Sequence, residues 1–109
     1  MKKYCLFLDL VDEPELIAQY DAYHKAVWPE VLESIRSSGI LNMEIYRYTN
    51  RLTMLMETTD DFLFENKSAA DAGNIKVQEW EQLMWKYQQA LPGSKPGDKW
   101  QLSDLIFSL

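Results

Sequence analysis

The chain opens on a short run, residues 3–11, in which Tyr4, Leu6, Leu8 and Leu10 fall on one face. Cys5, Phe7 and Val11 fall on the other, around Asp9. Period-two alternation over so few residues predicts a β-strand, and two apolar faces predict a strand covered on both sides. A helix is expected next, with Asp12 as N-cap, Pro14 in the first turn, and Glu13 and Glu15 near its positive dipole end. Apolar spacing then continues through Leu16, Tyr20, Tyr23, Val27, Val31 and Ile35, and Ser37-Ser38-Gly39 supplies a stop. Pro29 interrupts this run: it lacks an amide donor and clashes with the carbonyl of Lys25, so a break is expected at Trp28-Pro29.

Strands are predicted over 41–49 and 52–58, joined by a tight Asn50-Arg51 turn in which Asn accepts a left-handed backbone. A helical region over 60–72 is interrupted by Gly73-Asn74. A further helix, 75–90, places Val77, Trp80, Met84 and Tyr87 on one side. The Pro/Gly-rich stretch 91–98 reads as a loop, and residues 100–107 as a fourth strand. The order β-α-β-β-α-β is the α+β, ferredoxin-like plan: a four-stranded antiparallel sheet with its helices on one face. On the other face Phe7, Met43, Ile45, Leu55 and Leu105 need a cover. Two sheets packed across a two-fold axis supply it, which predicts a homodimer built as a dimeric α+β barrel.

Length and composition narrow the function. With 109 residues the chain is read as one domain, 1–109. Seventeen acidic against eleven basic residues give a net charge of −6, which argues against nucleic acid or an anionic membrane as partner. The start of the chain has a short apolar stretch broken by Asp9 and no small-residue cleavage site, so it does not read as a signal peptide. No run approaches the length needed to span a bilayer, and a cytoplasmic location is expected. One histidine and one cysteine offer no metal-ligand spacing. Four scattered glycines form no phosphate loop, so neither metal nor cofactor is expected.

What remains is His24 among aromatic residues. Tyr20, His24 and Trp28 are spaced i, i+4, i+8 and stack along one helix face. Such a stripe can simply pack, yet an imidazole titrates near neutral pH, and the Pro29 break opens the chain beside it. A second aromatic cluster surrounds Trp80, Trp85 and Tyr87. Trp85 lies off the core stripe and needs a ligand or a second subunit as partner. Aromatic faces suit the C–H surfaces of a sugar, and a neutral carbohydrate tolerates an acidic protein surface.

These residues resemble the L-rhamnose mutarotase family. The likeness is carried by Tyr20-x-x-x-His24-x-x-x-Trp28-Pro29-Glu30, by the hairpin with Asn42, Ile45-Tyr46 and Arg51-Leu52, and by Trp85-Lys86-Tyr87 followed by Pro92. The resemblance implies the dimeric ferredoxin-like fold and cofactor-free exchange of the α and β pyranose anomers of a monosaccharide, most simply L-rhamnose. It also implies His24 as proton donor and Tyr20 and Trp85 as sugar contacts, with Trp28 joining them from the same stripe. Met43 and Met84 stand where the family commonly has aromatic residues, which keeps another 6-deoxyhexose, L-fucose, in view. The other readings of the fold are a cofactor-free monooxygenase-like barrel and a non-catalytic sugar-binding module.

Overall fold

The computed structural model describes residues 1–95 and 97–109; Pro96, inside the expected 91–98 loop, lies outside the described residues. Strand β1 (Lys2–Leu10) leads to helices α1 (Pro14–Tyr23) and α2 (Pro29–Ser37). Strands β2 (Ile40–Tyr48) and β3 (Arg51–Thr58) follow, then α3 (Phe64–Ala72), α4 (Ile75–Trp85), and the short strands β4 (Gln88–Gln89) and β5 (Gln101–Leu102). The sheet order is β2-β3-β1-β4, with β5 also on β1 and every pairing antiparallel. This is the expected ferredoxin-like order, with each helical crossover split in two. Pro29 starts α2 after an extended Trp28, and Gly73 closes α3 before Asn74 caps α4 by accepting the Lys76 and Val77 amides.

Leu6, Leu8 and Leu10 of β1 sit opposite Met54 and Leu52 of β3 or beside them, and all face the helices. Leu8, Leu10 and Leu52 are almost wholly buried, each such burial being worth roughly 2 kcal/mol. Tyr20 of α1, Val31 of α2, and Trp80 and Met84 of α4 close this core, with Tyr87 just beyond α4. A bidentate pair from Arg47 of β2 to Asp21 of α1, at 3.0 and 2.6 Å, ties the first crossover to the sheet. Gly39 ends the α2 unit at φ 97°, where an added Cβ would lie 2.8 Å from Thr59 Oγ1. Glycine alone fits there without displacement.

Several boundaries differ from the sequence reading, each for a local reason. Glu13 precedes α1 as its extended N-cap residue in place of Asp12, because Pro14 restricts the residue before it. The hairpin turns at Thr49-Asn50, one residue earlier than expected, since Tyr48 pairs with Arg51. Thr49 takes the left-handed conformation at φ 53°, while Asn50 donates its side-chain amide to the Leu10 carbonyl at 3.1 Å.

Met43 and Ile45, expected on the uncovered face, lie on the helix-covered one, opposite Met56 and Met54. The cause is a register shift between Ile40 and Asn42, where one extra residue reverses the alternation. The fourth-strand position is filled in two pieces. Gln88–Gln89 pairs with Asp9 and Leu10, and Gln101–Leu102 with Leu6 and Phe7. The expected strand over 100–107 is therefore only Gln101–Leu102, and the expected helix over 75–90 stops at Trp85 to free the chain for β4. Leu105 belongs to the exposed C-terminal tail and not to the sheet face.

Candidate active site

Helix α1 ends at Tyr23, and a helix end leaves backbone carbonyls without amide partners. The Tyr20 carbonyl, in that last turn, keeps only a long bond from the His24 amide at 3.3 Å, and the His24 ring adds a shorter one: Nδ1 lies 2.8 Å from the same oxygen. A carbonyl can only accept, so Nδ1 carries the hydrogen and donates it. In the neutral imidazole Nε2 is then the unprotonated atom, with no hydrogen-bond partner among the described residues. The Pro29 break is what makes this possible, because it stops the helix short of the proline and turns His24 into its cap.

Aromatic rings fix the imidazole on two sides. The Tyr20 ring lies 4.3 Å from it between centroids, and the Trp80 ring stands edge-on at 5.7 Å. Trp28 packs against the far side of this arrangement, 5.2 Å from Trp80. His24, Tyr20 and Trp80 line a cavity of about 780 Å³ between the helices and the sheet. Its remaining wall is largely apolar, with Val27, Met43, Met54 and Met84 among the lining side chains. Another hollow of about 830 Å³, outside α2 and α3, has no histidine or aromatic side chain among its described lining residues.

Tyr20 is 3% exposed. Burial pushes its phenol up to about 12, against the Gln88 amide, which pulls it down, and with Asp21, which adds to the rise. Tyr20 therefore stays a neutral phenol through the neutral range. The Gln88 side-chain amide donates to its hydroxyl oxygen at 3.2 Å. An imidazole with a free Nε2 beside a phenol O–H, in a hollow walled by aromatic and aliphatic groups, can give and take protons on a small neutral molecule. Among the described residues no group of three or more His, Cys, Asp or Glu side chains is gathered as a metal site.

The model of the L-rhamnose mutarotase family matches residues 3–109. This chain belongs to that family. Mutarotases of this kind are isomerases acting on sugars, and the enzyme class expected from the sequence holds. A Xanthomonas campestris protein named L-fucose mutarotase is 48% identical over 111 residues, covering 100% of this chain and 89% of its own. A solved L-rhamnose mutarotase from Formosa agariphila shares the fold, with TM-score 0.73 at 19% identity, over 100% of this chain and 99% of that one. A dimeric ferredoxin-like protein from an uncultured marine organism gives TM-score 0.55 at 15% identity, over 97% and 91% of the two chains. Both support the ferredoxin-like assignment.

Within this mutarotase fold the expected site residues separate. Tyr20 and His24 meet at the cavity, while Trp28 reaches it through Trp80. Trp85 is not among the lining residues. The Lys99 ammonium lies 5.7 Å from the centre of the Trp85 ring, and it is Lys99 that borders the cavity. Sequence reasoning assigned Trp80 to the core stripe with Met84 and Tyr87, and the structure confirms that burial. It missed that the same ring, one helical turn before Met84, also lines the cavity, together with Trp100. The available signal was that spacing, since residues 80 and 84 share one face of α4.

Proposed function

We propose that this protein catalyses exchange between the α and β pyranose anomers of a 6-deoxyhexose without a cofactor, with His24 moving the proton. The observation that carries the reading is the His24 ring, pinned through Nδ1 and free at Nε2, at the wall of an aromatic-lined cavity. Ring opening needs a proton delivered to the ring oxygen and another taken from the anomeric hydroxyl. Nε2 of His24 can take the anomeric proton, and the imidazolium so formed can return it to the ring oxygen, which closes the proton balance; Tyr20 supplies a second polar group beside it. Trp80 offers the flat face that a sugar's C–H surface needs, and Trp28 holds Trp80. Trp85 acts at one remove, by fixing Lys99 at the cavity wall.

The sequence motif alone favoured L-rhamnose. L-fucose is favoured here, because the 48% identical relative carries that name over its near-full length. Saturation-transfer NMR tests both: adding protein to L-fucose should speed exchange between the two anomeric signals, with slower gain for L-rhamnose. Binding without faster exchange would make the protein a sugar-binding module. Faster exchange for L-rhamnose alone would restore the first choice.

The same proposal includes a cytoplasmic homodimer formed by the single domain 1–109. No helix of the described residues is long and apolar enough to cross a membrane. The sheet face away from the helices presents Phe7, Leu55, Tyr46 and Tyr48, the last two 57% and 82% exposed. The tail adds Leu105, Ile106 and Phe107, all largely exposed. Apolar surface of this extent is what a second copy would cover. Light scattering at micromolar concentration should give twice the 12.8 kDa chain mass; a stable particle of one chain mass would remove the dimer.

A further inference from the structure

We propose that Gln88 is a positioning residue: its side-chain amide holds the oxygen of Tyr20 so that the phenol proton is directed to the sugar. The inference rests on the mutarotase reading and names a residue that the resemblance does not single out. Gln88 stands on β4, opposite Leu10 of β1, and the Val11 amide donates to the neighbouring Tyr87 carbonyl at 2.8 Å. Its backbone is therefore held by the sheet, and its side chain reaches the cavity from a fixed edge.

The chemistry follows from donor and acceptor inventory. A side-chain amide nitrogen only donates, so at 3.2 Å the Tyr20 oxygen is the acceptor and its own proton is left over. Tyr20 also borders the cavity, and a buried phenol needs a partner for that proton. With sugar bound, a hydroxyl or the ring oxygen can be that partner. Were the residue at 88 an acceptor, the phenol would give its proton away from the cavity and turn a lone pair toward the sugar. The Tyr20 backbone carbonyl meanwhile fixes His24 Nδ1. One tyrosine thus sets both hydrogen-bonding groups of the site, and Gln88 decides the polarity of the second. The burial that raises the Tyr20 phenol and the Gln88 bond that opposes it agree with this placement.

The test compares Gln88→Met, which removes the donor, with Gln88→Glu, which replaces it by an acceptor of the same shape. Anomer exchange of L-fucose and L-rhamnose is measured beside thermal unfolding. Exchange is expected to fall in the order Gln, Met, Glu, with Gln88→Glu at least about tenfold down and melting temperatures close together. Protonating the introduced carboxyl restores a donor, so its deficit against the wild type at equal pH should narrow toward about pH 4–5. In a Tyr20→Phe background the two variants should become equal, as residues acting through one another do.

Wild-type exchange in both variants overturns the proposal. So does a Gln88→Glu deficit that persists undiminished without the Tyr20 hydroxyl, which would make Gln88 a direct sugar contact. A loss that tracks melting temperature in both variants leaves only packing and also overturns it. A wild type that exchanges neither sugar overturns the mutarotase reading itself, and this proposal with it.

Discussion

Replacing His24 with Asn should lower enzyme-dependent anomer exchange by about 10²-fold or more, the lower range for loss of a general acid. On the barrier that is about 2.7 kcal/mol. His24 is the only imidazole in the chain, so no neighbouring histidine can take over. Asparagine retains a donor that can reach toward the Tyr20 carbonyl, yet it does not titrate near neutral pH. The variant therefore separates pinning from proton transfer. Stability should change by about 1 kcal/mol, because the ring is half-buried and its neighbours Tyr20 and Trp80 are each held by other contacts. Exchange by NMR and a urea midpoint on the same samples check both halves. Full exchange with a sharply lowered midpoint would make His24 a packing residue and leave the mechanism without its acid.

Much of this site was legible in the sequence because its parts are local. Tyr20 and His24 are four residues apart on one helix, and Pro29 announces where that helix must end. Both survive into the structure, as do the first strand, expected over 3–11 and found at Lys2–Leu10, and the break at Gly73-Asn74. What the sequence could not show depends on register and on distant pairings. One extra residue near Leu41 turned Met43 and Ile45 from the open face to the covered one. Gln88 looked like the end of a helix, and only the antiparallel edge with Leu10 brings it to Tyr20, 68 residues away in sequence. Trp85 carried the family resemblance, whereas Trp80 occupies the cavity wall. Adjacent helical positions differ by about 100° around the axis, so Met84 and Trp85 cannot share a face.

That division between Trp80 and Trp85 gives the largest expected loss of stability. Trp80 is 8% exposed and packs against three rings at once: Trp28 at 5.2 Å, His24 at 5.7 Å and Tyr23 at 6.3 Å between centroids. Trp80→Ala should cost about 3–5 kcal/mol, the usual range for emptying a buried Trp site, a large share of a small domain's total. Trp85 is partly exposed, with its ring partnered by the Lys99 ammonium. Trp85→Ala should therefore cost about 1 kcal/mol or less. Because Trp80→Ala can leave little folded protein, Trp80→Phe is the informative companion. It keeps an aromatic face beside His24 on a smaller ring, so the fold should persist and exchange should fall through weaker sugar binding. Urea unfolding of the three variants, followed by exchange at saturating and subsaturating sugar, reads the two effects separately. A Trp85→Ala loss as large as that of Trp80→Ala would place the core wall of α4 on the opposite face from the one described.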